Sequence, residues 1–302
     1  MNSSPVRFAF LLMSALAGLL LPSPRGLHAE DWPKDYVTAE NSESPDKHYA
    51  LLIPNTDHGE GDNFLADTKN HRLLGKIKGG DYFEHANHRG MTLTWADNSQ
   101  WCVLEYDNRF GFASLNVLEV KDKTFAQTEF GARVQKSIDA VIKKQSHGDS
   151  ESGEVTPYCS LGKDRRIQVR AVATTNPKEL EGVKTSYAWF DGVYDYSRAE
   201  WSSAQAHPAT TAEYNALNAA FIYKPGDALK TLQDSDKARE LDELLNNIYQ
   251  TDRLFLPPKR FAALKEEQRA WLAKRDAAKS DEEKFKLIAD RIDALYKLIY
   301  PE

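Results

Sequence analysis

At 302 residues with 41% hydrophobic side chains, the chain can bury a sizeable core and has room for two domains. Its formal charge of −6 argues against nucleic acid as a partner and leaves room for a cationic one.

Residues 1–29 read as a signal peptide. Arg7 supplies a positive start, Phe8 to Leu21 is an unbroken weakly polar run, and Leu27-His28-Ala29 offers a cleavage site. That run of 14 residues is shorter than the roughly 20 a spanning helix needs, so no stable membrane span is expected. The mature chain is expected in the periplasm or outside the cell. Cleavage removes Arg7 and Arg25 and no carboxylate, which moves the formal charge from −6 to −8.

A polar linker from Glu30 leads to the turn Ser44-Pro45-Asp46-Lys47-His48 and a strand over Tyr49 to Ile53. The pattern returns about fifty residues later, where Thr94 to Ser99 leads into Gln100 to Tyr106. Further strands follow each copy: Asn63 to Asp67 and Arg72 to Ile77 after the first, Ala113 to Val120 after the second. The repeat weakly resembles the blades of a β-propeller. Two copies cannot close a ring of at least four blades, so the expectation is an antiparallel meander.

Phe125 to Gln145 changes period. Phe130, Val134, Ile138, Val141 and Ile142 recur at helical spacing, which predicts a helix. Ser146 to Thr156 reads as a Gly/Ser/acid loop, Arg166 to Val172 as a half-buried strand, and Tyr187 to Tyr196 as one or two aromatic strands. Residues 30–205 are therefore expected to form an α+β domain, an antiparallel sheet with a helix. Residues 206–234 form a transition with a helix over Thr211 to Tyr223, ended by Pro225-Gly226-Asp227.

Residues 235–302 predict a small all-α domain of three amphipathic helices. Leu241, Leu244, Leu245, Ile248 and Tyr249 stripe the first. After Leu256-Pro257-Pro258, the second aligns Phe261, Leu264, Gln268, Trp271, Leu272 and Arg275. Ser280-Asp281-Glu282-Glu283 is a capping box opening the third, which carries Phe285, Ile288, Ile292, Leu295, Tyr296 and Ile299. Trp271 beside Phe261 and Leu264 is expected to anchor this small core.

The run Leu241 to Gln250, with Gln268, Trp271, Arg275 and Asp276 at their spacing, resembles the LprI-type lysozyme-inhibitor family. Ala277 and Ala278 stand where that family carries a cysteine. The resemblance implies a secreted or periplasmic helical domain, some of whose relatives inhibit lysozyme. Gln268, Trp271, Arg275 and Asp276 then become the partner-binding candidates, and a small cationic lysozyme-type enzyme the expected partner.

Cys102 and Cys159 are the only cysteines, and in an oxidising compartment an even pair predicts one disulfide. Closing a loop of that length would stabilise the fold by about 4 kcal/mol on a chain-entropy model. Two separate buried thiols are the alternative.

Other constellations are less specific. Glu84 with His85 and His88, in a polar stretch that includes Asp57, His58, Glu60, Asp62, His71 and Asp81, is the kind of group that binds zinc. The glycines Gly79, Gly80 and Gly90 around it indicate a loop. Glu105 with Asp107, or Asp191 with Asp195, could pair for glycoside chemistry. Tyr187, Trp189, Phe190, Tyr194, Tyr196 and Trp201 suit either a sugar platform or a strand core. Gly-x-Ser-x-Gly does not occur, and Gly59-Glu60-Gly61 lacks the setting of a phosphate loop. The expectation is an exported, non-enzymatic protein-binding module without a cofactor, with lysozyme (muramidase) inhibition as the specific form. A metal-dependent hydrolase using His85 and His88, or a structural envelope module, are the rivals.

Overall fold

The turn signal seen twice in the sequence occurs three times in the computed structural model. The structure describes residues 32–300 except 56–60, 81, 84–85, 87–89, 109–110, 148–153, 176–183 and 229–237. The expected signal peptide and most of the histidine-rich stretch, His85 and His88 included, lie outside the described residues.

Twelve strands among the described residues form three antiparallel meanders of four. The first contains β1 (Tyr36–Thr38), β2 (Tyr49–Pro54), β3 (Phe64–Asp67) and β4 (Arg72–Lys76). The second contains β5 (Gly90–Trp95), β6 (Trp101–Asn108), β7 (Gly111–Lys121) and β8 (Thr124–Glu129). The third contains β9 (Glu154–Leu161), β10 (Arg166–Thr174), β11 (Tyr187–Asp195) and β12 (Glu200–Ala209). Strand order follows chain order in all three, and every pairing is antiparallel.

In each meander the first hairpin turns the same way. Asp46, Asn98 and Asp164 accept from the backbone N–H two residues on, at 3.1, 3.0 and 3.3 Å. The intervening residue is left-handed each time: Lys47 (φ 57°), Ser99 (57°) and Arg165 (61°). The side-chain bond holds the turn in that sparsely allowed region. Three copies remain fewer than the four blades of a propeller, and the outer face of the third sheet is covered by helices instead.

The sheets stack in layers. Leu51, Ile53, Leu65 and Leu74 of the first sheet meet Leu93, Cys102, Leu104 and Leu118 of the second. On its other face the second sheet presents Trp101, Val103, Leu115 and Val117 to Ile167, Val169, Ala171 and Phe190 of the third. α1 (Ala132–Gln145) adds Val134, Ile138 and Ile142 to that core. The first half of β6 is thus buried on both faces, and Trp101-Cys102-Val103-Leu104 reads as a continuous apolar run for that reason.

Two expectations are corrected here. The helix predicted from Phe125 starts only at Ala132, because Thr124–Glu129 pairs with β7 as an edge strand. The chain leaves that strand at Gly131, where a Cβ would sit 2.8 Å from the backbone nitrogen of Leu115. The expected disulfide is also not formed: Cys102 and Cys159 are both free thiols. Cys102 points into the core shared with the first sheet, whereas Cys159 packs against the core on the opposite side of the second sheet. Burial pushes both thiols well above their usual pKa. Alkylation in denaturant without reductant is therefore expected to label both cysteines by mass spectrometry; a protected pair would restore the disulfide.

The remaining helices cover the outer face of the third sheet. They are α2 (Thr211–Ile222), α3 (Ala238–Phe255), α4 (Pro258–Asp276) and α5 (Asp281–Ile299). No helix among the described residues is long and apolar enough to cross a membrane. Thr210 caps α2 with a complete capping box, and Ser280 accepts from the Glu283 N–H at the start of α5. Leu217, Ala220 and Phe221 of α2 share one core with Val172 and Trp189 of the sheet and with the last three helices. The fold is α+β, three antiparallel sheets followed by a helical C-terminal part.

One residue joins the two parts most directly. Arg170 on β10, 6% exposed, donates through Nη2 to the carbonyl of Ile299 at 2.7 Å and through Nε to Asp191 at 3.1 Å. Its guanidinium lies 3.9 Å from the ring centre of Tyr300 and 4.5 Å from that of Phe255. A cation at the end of α5 also complements the partial negative charge of the helix C-terminus.

Candidate functional site

The three last helices are unequally held. α3 buries Leu241, Leu245 and Ile248, and α5 buries Ile288, Ala289, Ile292, Leu295 and Ile299. α4 completely buries only Leu264, so it lies along the edge of its neighbours. Its inward face is the one the sequence aligns: Phe261, Gln268, Trp271, Leu272 and Arg275 are all half-buried. Pro258 opens the helix as expected.

The four motif residues do different work. Gln268 accepts from Nε of Arg291 on α5 at 2.8 Å, which ties α4 to α5. Arg275 reaches Asp242 on α3 at 3.6 Å, and its guanidinium stands 5.6 Å from the ring centre of Trp271. Asp276 takes two bonds from Arg275, at 2.9 and 3.0 Å, while its own side chain stays 63% exposed. Trp271 is half-buried and packs against the helical core that contains Leu264, together with Phe261.

Between α3 and α4 runs a groove of about 500 Å³, lined by Asp242, Asn246 and Tyr249 on one side and Gln268, Arg269 and Arg275 on the other. Polar and long side chains dominate it, which suits a protein surface better than a small apolar ligand. Tyr249 of this lining packs against Phe261, with ring centres 5.4 Å apart. Residues 238–300 carry 13 basic and 12 acidic side chains. The acidic surplus of the chain therefore lies outside the helices.

Sequence reasoning missed one charged group in this unit. Asp252, four residues after Ile248, falls on the apolar stripe of α3, and its side chain is fully buried. A carboxylate at a core position of an amphipathic helix was the available signal. Burial pushes it up to about 7, with Arg291 and Arg260 acting in the opposite direction.

The other candidates resolve differently. Asp62 pairs with Lys76 at 2.5 Å, and His71 packs at a tilt against the ring of Trp32. Among the described residues no group of three or more His, Cys, Asp or Glu is placed to hold a metal ion. Asp191 is engaged by Arg170 and Gln168, and Asp195 by Ser197 and Arg198. Glu105 and Asp107 sit on one face of β6. Burial, with the charge of Asp107 second, pushes Glu105 up to about 8. Most of the aromatic set is core: Phe190 and Tyr194 pack with Trp201 between the sheets, and Trp189 stacks on His207 and meets Phe255 edge-on on the outer face.

The C-terminal unit is thus a three-helix module docked on a stack of meanders, with a polar groove and a half-exposed motif on its least buried helix. Residues 228–299, the C-terminal quarter of the chain, match the model of the family described as lysozyme inhibitor LprI. No curated protein matches the chain, and no solved structure does.

Proposed function

We propose that the chain is an exported protein-binding module whose helical unit docks on a lysozyme-type enzyme and inhibits it. The family match over residues 228–299 carries this reading. It falls on a unit whose motif residues reach the surface, on a helix tied to its neighbours by Gln268 with Arg291, by Arg275 with Asp242 and by the buried Leu264. The role is binding and not catalysis. The stack of sheets then serves as the body that holds the helices, joined to them through Arg170.

The near-neutral helices change the expected electrostatics. Any steering of a cationic enzyme comes from carboxylates of the sheets, and mainly raises the association rate. Contact specificity rests on the end of α4, where Asp276 is exposed and fixed by Arg275. Asp276→Arg is expected to weaken inhibition about tenfold, a loss of about 1.4 kcal/mol, without shifting the melting temperature. Inhibition by this variant at wild-type potency would remove the end of α4 from the interface.

A further inference from the structure

We propose that Asp252 and Arg291 form a pH-responsive latch that sets how firmly α4 is held against α3 and α5. The geometry is that of one cation with two claims on it. Nε of Arg291 donates to Gln268 on α4, while its Nη2 is buried with no hydrogen-bond partner. Both carboxyl oxygens of Asp252 on α3 are likewise buried and unpartnered. Each such group bears a desolvation cost that a hydrogen bond would relieve. The two residues are not hydrogen-bonded to each other, yet each acts on the charge of the other.

The surrounding charges come from all three helices. Arg291 is contributed by α5, and Arg260 and Glu267 by α4, where they pair with each other at 2.6 Å. Tyr249 stands one turn before Asp252 on α3, and feels Asp252, Arg269 and Arg291. While Asp252 is neutral, Arg291 stays with Gln268 and α4 is docked. When Asp252 ionises, its charge in a dry site pulls the guanidinium toward it through the unpartnered Nη2, straining the Nε bond to Gln268, or draws in water. Either response loosens α4, whose only completely buried residue is Leu264.

Burial places the ionisation of Asp252 near neutrality, at about 7. The native value lies above the unfolded one of about 3.9. The folded state therefore binds the extra proton between these values. The stabilisation is complete below about pH 4 and is lost as pH rises through 7. The docked form of α4 belongs to the acid side.

Hydrogen exchange of the full chain, read on peptides from residues 258–276 and corrected for intrinsic rates, tests this. Between about pH 6 and pH 8 the wild type is expected to lose roughly tenfold in protection there, the equivalent of one pKa unit. Asp252→Asn is expected to show no such change. A pH-independent wild type, or a pH dependence that persists in Asp252→Asn, overturns the latch. If that variant does not fold, the carboxyl carbon shift of Asp252 in the wild type decides. A midpoint above about 6 supports the latch, and one below about 5 ends it. The readout stands apart from lysozyme binding, so the latch and the proposed function fail separately.

Discussion

Arg170→Ala is expected to cost about 3 kcal/mol of stability and to split one unfolding transition into two. The side chain is buried, holds the carbonyl of Ile299, pairs with Asp191 and lies between Tyr300 and Phe255. Removing one partner of a buried ionic arrangement costs about 3–5 kcal/mol, because the others are left without compensation. Asp191 is one-third exposed and recovers water, and Nη1 of Arg170 has no partner to lose, which favours the low end. Arg170→Lys keeps the charge but not the planar stack or the forked donors, so it should recover less than half of the loss. Urea unfolding followed by circular dichroism and by tryptophan fluorescence checks both variants. A single transition at the wild-type midpoint for Arg170→Ala would mean that the helices are held by the apolar face alone.

Leu264→Ala should be the most damaging single change within α4, at about 3 kcal/mol, the middle of the range for emptying a buried leucine site. Trp271→Ala should cost less despite the larger side chain, since Trp271 is half-buried and water can occupy the space it leaves. Thermal melts of the two variants order these effects. The opposite order would place Trp271 in the core and leave α4 better packed than its single fully buried residue suggests.

The helical part was legible because its signals agree at every level. The apolar stripes, Pro258 at the start of α4 and Ser280 ahead of α5 all appear where the periodicity puts them. The sheets were legible where strands are buried on one or both faces, as in β2, β6 and β10. The missed strands are those whose residues carry no such pattern. β9 includes Pro157, which only an edge strand tolerates, and β12 is an exposed edge of Ser, Gln and His side chains. Without them the third meander showed as isolated aromatic strands, and the repeat appeared twice instead of three times. Phe125 to Glu129 was assigned to the helix that follows because Phe130 continues the spacing of Val134 and Ile138, although Phe130 lies between β8 and α1 and the residues before it belong to β8. Cysteine parity suggested a bridge, but alternation along β6 sends Cys102 to the face away from Cys159. Within the site, spacing placed Gln268 and Arg275 on one face of α4. Their partners Arg291 and Asp242 come from other helices, and nothing local to α4 names them.

The central claim is that the helical unit inhibits a lysozyme-type enzyme. Its most direct test is turbidimetric clearing of a cell-wall suspension by lysozymes of several classes, with the chain lacking residues 1–29 added at low and at physiological salt. Slowed clearing by at least one class at micromolar protein, weakened by Asp276→Arg, is the expected result. Clearing at an unchanged rate by every class, even at low salt, would contradict the account.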